Sequence, residues 1–307
     1  MAFKQRDKRK HTQESSEALK NFHDAHYKEL MLIPIALFVI AIIILSINYA
    51  TTGEVISRGI SLKGGISITF NKQIDMSRAE LQKQLSSRYP ETDLVVRELK
   101  SVGVSTSYIV EAALDESQVE EFMYVLEDII GPLGEEQYSV ETISSSLSKN
   151  FFTQVVKALL WAFILMAIVV FIIFKDFVPS ISVIISAVSD IVVTLALTNF
   201  LGFKISTAGI AAFLMLIGYS VDSDILLVTR MTKRKVGAIF DRIKLAFSTG
   251  MTMSITTLTA VGLAFLLSGS DVIRQIMAIV FLGIMVDLIN TWILNVGILR
   301  LHLERKK

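Results

Sequence analysis

The 25-residue stretch from Ile205 to Thr229, ISTAGIAAFLMLIGYSVDSDILLVT, decides the fold. It contains no lysine or arginine, and as a helix it is about 37 Å long, enough to cross roughly 30 Å of hydrocarbon. Its only charged residues are Asp222 and Asp224. A carboxylate in such surroundings is costly in lipid, so it reads first as a functional group turned toward a bundle interior.

The same composition recurs on both sides of this stretch. Upstream, Val178–Phe200 is broken only by Asp190, 17 uncharged residues lie between Lys157 and Lys175, and 24 lie between Glu29 and Glu54. Downstream, 26 uncharged residues separate Lys244 from Asp271, and Gln275–Leu299 is interrupted only by Asp287. These six segments predict six membrane helices, grouped as one (residues 30–50) and five (151–300). The 29-residue polar tail before the first segment (residues 1–29) makes that segment an uncleaved span rather than a signal peptide.

Over all 307 residues, 52% are hydrophobic and 19% charged, with mean hydropathy +0.57. Soluble domains carry about 25% charged residues. A net charge of +1 offers no basic field for nucleic acid. The absence of cysteine excludes disulfides, thiolate nucleophiles and Cys-based metal sites. The four histidines, His11, His23, His26 and His302, sit in the polar tails, so no metal or other cofactor is expected.

Charge placement predicts orientation. The N-terminal tail, the second-to-third and fourth-to-fifth connections and the C-terminal tail (301–307) together with the adjoining Arg300 hold 18 lysines and arginines, against Lys204 and Arg274 on the two short opposite connections. The positive-inside rule then puts both termini in the cytoplasm and residues 51–150 outside, in a plasma membrane. The basic run from Arg230 to Lys235 is expected to meet anionic lipid headgroups.

Residues 51–150 carry 9 basic and 16 acidic side chains. Strands are expected at 65–70, 93–99, 104–112 and 138–145, with a turn at Gly103. Helices are expected at 77–89, capped by Ser77 with Glu80, and at 115–130, stopped by Gly131-Pro132. The order βαββαβ is ferredoxin-like. The whole chain therefore reads as an α-helical integral membrane protein with six transmembrane helices and one external α+β domain.

Four carboxyls remain inside the spans. Asp190 and Asp287 each lie about 12 residues into a helix, roughly 18 Å, near the midplane. Asp222 and Asp224 lie about two turns from the cytoplasmic end, where Asp224 is within range of Arg230. No lysine or arginine lies in the cores of these helices, so hydroxyls and amides are the available partners. They include Ser189, Thr194, Tyr219, Ser220, Ser223, Asn290, Asn295 and a row of Thr252, Thr256 and Thr259 on one helix face. Asp190 and Asp222 are the leading proton-relay candidates, followed by Asp287 and Asp224. No enzyme is expected: an intramembrane aspartyl protease would carry its acids in Tyr-Asp and Gly-x-Gly-Asp strings, which are absent.

Specific strings add a resemblance. Arg58-Gly-Ile-Ser-Leu-Lys-Gly-Gly-Ile66 follows the first span, Ile217-Gly-Tyr-Ser-Val-Asp-Ser-Asp-Ile-Leu226 lies in the fourth and Asp190-Ile-Val-Val-Thr194 in the third. With one span, a large external domain and five spans, the chain resembles the SecF family. These are the smaller membrane subunits of SecD–SecF protein-export complexes, of resistance-nodulation-division type, and the likeness is to the archaeal branch. Gly64, Gly65 and Gly218 are its motif glycines, and Asp190 matches the family's third-helix acid. Bacterial members read Asn-Asp-Thr where this chain has Asp222-Ser223-Asp224, so Ser223 aligns with their acid. The resemblance implies a heterodimer with a SecD-like subunit, association with a SecY-type channel and contact with a translocating polypeptide. It also implies use of the proton gradient. The alternative is half of a proton-coupled exporter of small molecules or lipids in the same superfamily.

Overall fold

The computed structural model describes residues 26–72, 74–99, 107–134, 136–233, 238–268 and 270–305. Six helices among them are long and apolar enough to cross a membrane. In chain order the elements are α1 (Leu32–Thr52), α2 (Ile60–Lys63), β1 (Gly65–Asn71), α3 (Arg78–Arg88), β2 (Leu94–Leu99), β3 (Ser107–Ala112), α4 (Val119–Ile130) and β4 (Tyr138–Ile143). Then come α5 (Ser145–Phe174), α6 (Phe177–Phe200), α7 (Thr207–Val228), α8 (Ile239–Leu267), α9 (Asp271–Ile289) and α10 (Val296–Arg305). A π-helical turn at Thr229–Lys233 extends α7, and another at Asn290–Asn295 joins α9 to α10. The last span therefore runs on to Arg305, beyond the expected end at Leu299. The expected turn at Gly103 lies outside the described residues.

The four strands form one antiparallel sheet in the order β2-β3-β1-β4, the ferredoxin-like arrangement. Strand periodicity explains its single core. Ile66, Ile68 and Phe70 of β1 and Tyr108, Val110 and Ala112 of β3 point to one face. Leu81 and Leu85 of α3 and Phe122, Leu126 and Ile130 of α4 cover that face at helical spacing. The Ser77 hydroxyl accepts from the Glu80 N–H at 3.2 Å and starts α3 where the sequence places it. The Lys-Gly-Gly string has a backbone reason. Gly64 and Gly65 adopt φ of 90° and 142°, and a Cβ on Gly65 would lie 2.3 Å from the Ala112 carbonyl oxygen.

In the bundle, α6 and α7 carry long buried flanks, whereas most apolar residues of α1 and α5 are exposed. An exposed apolar helix surface is the expected state in lipid, which solvates it. Small residues permit close helix approach: a Cβ on Gly283 of α9 would lie 2.3 Å from Leu216 of α7, and one on Gly250 of α8 would lie 2.2 Å from the Trp292 ring.

The domain is tied to the bundle through the α6–α7 connection. Gly59 N–H donates to the Ile205 carbonyl at 2.9 Å, and Ile205 N–H donates to the Ser57 carbonyl at 2.7 Å. Asn199 at the end of α6 accepts from Ser57 N–H at 3.1 Å and donates to the Val55 carbonyl at 2.8 Å. Asp93, just before β2, pairs with Lys204 and, at 3.3 Å, with Lys63. Partial burial raises the Asp93 pKa, but the hydrogen bond and charge of Lys204, with Lys63 behind it, outweigh that and hold it below its ordinary 3.8. The stabilisation is thus fully present above pH 3.8 and is lost as pH falls through the lower value of the folded chain. Asp93→Asn removes the charge at every pH. Hydrogen exchange at the Gly59 and Ile205 amides is expected to run about fivefold faster in Asp93→Asn, the effect of losing roughly 1 kcal/mol.

Candidate functional site

The polar residues of the bundle gather where α6, α7 and α9 meet. Each arrives there because it shares a face with the apolar residues that bury its helix. On α6, Ser182, Ser186, Ser189, Asp190 and Thr194 are all buried. Ser220, Ser223 and Asp224 on α7 are buried as well, and so are Asp287, Asn290, Thr291 and Asn295 on α9 and the π turn. In this last group Thr291 follows Asp287 by four residues and Asn295 follows Thr291 by four, so all three side chains stack on one face. The π turn keeps Asn295 on that face where a helix must otherwise drift, and such turns concentrate at functional sites.

Three carboxyls, Asp190, Asp224 and Asp287, are linked by these hydroxyls and amides. Asp190 accepts from Asn290 Nδ2 at 2.7 Å and from the Ser220 hydroxyl. Asp224 Oδ1 accepts from Asn295 Nδ2 at 2.7 Å and lies 2.9 Å from Thr291 Oγ1. The same Thr291 oxygen is 3.0 Å from Asp287 Oδ1. Ser223 Oγ is 3.1 Å from both oxygens of Asp287 and 2.9 Å from the Ser220 carbonyl. Among the described residues none of the three carboxyls forms an ion pair.

Counting hydrogens sets the chemistry. Thr291 has one hydroxyl hydrogen and faces two carboxyls, and Ser223 has one and faces a carbonyl and a carboxyl. A hydroxyl serves one acceptor at a time, so the remaining contact closes only when a carboxyl carries a hydrogen of its own. Asp224 Oδ2, Asn295 Oδ1 and the hydroxyls of Ser186, Ser189 and Thr194 have no hydrogen-bond partner among the described residues. The cluster can therefore hold a variable number of hydrogens by reorienting hydroxyls, with little movement of heavy atoms.

Several of the residues picked from the sequence fall elsewhere. Asp222 is exposed on the outer surface of α7, whereas Asp224 is fully buried and bonded to Thr291 and Asn295 rather than to Arg230. One helical residue is about 100° of rotation, so neighbours but one face nearly opposite ways. Thr252 and Thr256 are exposed on α8 and donate to their own backbone, to the Ser248 and Thr252 carbonyls at 2.8 and 2.9 Å. Gly218 has open space where a Cβ would stand, so no close packing requires it. Thr291 and Ser186 were missing from the sequence reading. The spacing of Thr291 from Asp287, four residues, is the signal that could have found it. Among the described residues no group of His, Asp and Glu is arranged to hold a metal ion.

Fold and site together define a multi-pass helical membrane protein with one ferredoxin-like domain and a buried network of carboxyls. A family model described as protein export membrane protein SecD/SecF, C-terminal, matches residues 126–305. The protein-export membrane protein SecF of Pyrococcus furiosus is 37% identical over 292 residues, 95% of this chain and 96% of that one. Its namesake in Methanocaldococcus jannaschii is 35% identical over 289 residues, 90% of this chain and 96% of that one. The crystal structure of SecDF from Thermus thermophilus, described as a translocon-associated membrane protein, matches with a TM-score of 0.70 at 18% identity. That match covers 92% of this chain, which spans 38% of the length of the SecDF chain. The chain belongs to the SecD/SecF family of protein export membrane proteins.

Thr291→Val keeps shape but removes the hydroxyl between Asp224 and Asp287. It is expected to cost about 1–3 kcal/mol by leaving buried acceptors without a donor, whereas Thr291→Ser retains most of the stability. Thermal unfolding of the detergent-solubilised chain checks both.

Proposed function

We propose that this chain is an auxiliary subunit of the Sec protein-translocation machinery, pairing with a SecD-like subunit at a SecY-type channel to support polypeptide export. In this reading it lies in the plasma membrane with both termini cytoplasmic and residues 51–150 outside, as the 18 against two distribution of lysine and arginine favours. The names of its relatives support the export role.

The observation that carries the mechanism is the cation-free cluster of Asp190, Asp224 and Asp287, bridged by single hydroxyls that cannot satisfy every contact at once. Adding a hydrogen to one carboxyl reverses the direction of the Thr291 and Ser223 bonds and changes which helix each carboxyl favours. Carboxyls shared between α6, α7 and α9 would then bias two packings of these helices, and filling the cluster from one side and emptying it to the other couples a proton gradient to movement. The backbone bonds between Ile205 and Ser57–Gly59 carry α6–α7 movement directly to the base of the sheet domain, which would hold or pull the emerging chain.

Asp222 supports the pairing. It is an acid exposed on the outer surface of α7 within a membrane-length helix, where contact with lipid is costly and a partner helix relieves that cost. The exposed threonines of α8 need no such partner, since each donates to its own helix.

Asp190→Asn and Asp287→Asn keep shape but remove the exchangeable carboxyl hydrogen. Each variant is expected to insert normally and co-purify with its partner, while secretion of a reporter falls to the level of a strain lacking the protein. Full secretion by both across external pH would overturn the proton reading. Separately, Asp222→Leu is expected to reduce recovery of a SecD-like six-span subunit in mild-detergent pull-downs, with the chain itself still in the membrane. Unchanged recovery would place the partner on another face.

A further inference from the structure

Between the sheet domain and the bundle lies a groove of about 510 Å³. Its walls carry four cations, Arg78 of α3, Arg97 of β2, Lys204 of the α6–α7 connection and Arg274 of α9, against one carboxylate, Glu111. Two of the cations are already engaged: Arg97 pairs with Glu111 at 3.1 Å, and Lys204 pairs with Asp93. Arg78 and Arg274 form no ion pair among the described residues, and both are exposed. The Arg274 guanidinium instead lies over the Phe265 ring, 5.4 Å from its centroid.

Phe265 and Phe203 also line a second groove of about 400 Å³. This one is wholly apolar and lies between α8 and α9, bounded by Leu266, Ala278, Phe281 and Leu282. Small residues open it: Gly262 leaves the Phe281 ring 3.7 Å from where a Cβ would stand. Phe281 follows Arg274 by seven residues, so the groove descends about 10 Å along α9 from the guanidinium into the hydrocarbon.

A cationic groove at the membrane surface that continues into an apolar groove along the bilayer normal has the shape and polarity of a phospholipid. A soluble anion would leave the lower groove unused. An extended peptide would have to turn into the bilayer with its backbone unpaired, which hydrocarbon does not permit. We infer that the two grooves bind one anionic phospholipid, its phosphate held by Arg274 and Arg78 and an acyl chain lying between α8 and α9. The inference needs only that the helices span a bilayer, and it stands apart from the export reading.

Native mass spectrometry of the full chain in neutral detergent tests it, with palmitoyl-oleoyl phosphatidylglycerol, the phosphatidylcholine of the same chains and glycerol 3-phosphate as probes. One phosphatidylglycerol is expected to be retained in preference to phosphatidylcholine, with no retention of glycerol phosphate. Arg274→Gln is expected to weaken phosphatidylglycerol binding about fivefold, and Arg274→Gln with Arg78→Gln about twenty-five-fold. Arg274→Lys, which keeps the charge, should stay within about twofold of the parent. Ala278→Phe, which fills the apolar groove, should weaken both lipids together. Circular dichroism and thermal midpoints confirm that each variant is folded. Equal phosphatidylglycerol binding by the parent and the double arginine variant would overturn the assignment. So would equal binding of the two lipids, or retention of glycerol phosphate with the strength of the lipid.

Discussion

Asp190, Asp224 and Asp287, with no cation among the described residues paired to any of them, constrain how α6, α7 and α9 can pack. A buried polar group without a partner costs far more than an exposed one, so each carboxyl must find its donors on a neighbouring helix. Asn290 reaches Asp190 from the π turn that follows α9, Ser223 reaches Asp287 from α7, and Asn295 and Thr291 of the same π turn reach Asp224. These bonds fix the register of the three helices more narrowly than apolar contact does, because lipid tails compete with apolar packing and not with a directed hydrogen bond. The outer helices α1, α5 and α8 are free of this requirement and present mostly apolar surface.

The same economy governs the link to the sheet domain. The α6–α7 connection is short, and it spends its backbone groups on Ser57 and Gly59 instead of on water. Lys204, the one basic residue of that connection, faces Asp93 of the domain. The carboxyl cluster is thus joined to the base of the sheet by a continuous path of packed helix and hydrogen-bonded backbone. The cationic groove beside this junction lies where the domain meets the bundle, with Arg78 on one wall and Arg274 on the other.

Much of this was legible from residue order. Alternation in 65–70, strand character in 104–112, helical character in 77–89 and 115–130, and the Ser77 cap specify the ferredoxin-like domain, because strand and helix periods are local properties of the chain. The six spans follow from apolar length, three of them uninterrupted by charge and three broken only by aspartates. The choice among the acids did not follow. Asp222 and Asp224 flank the same Ser223 and lie at nearly the same position along the helix, yet one is exposed on α7 and the other is fully buried. Depth along a helix can be counted from its ends, but rotation about its axis depends on what packs against it.

Residue order alone sets the number of spans, the domain inserted after the first, and the presence of acids with no basic residue in the cores of the same helices. These are consequences of composition and period, which need no knowledge of neighbours. Only the tertiary structure decided that Asp190, Asp224 and Asp287 form one network, that Thr291 joins two of them, and that Asp222 and the α8 threonines stand outside it. The contacts between helices join residues 30 to 100 positions apart, across helices whose relative rotation is set by the sum of their packing and not by any one of them.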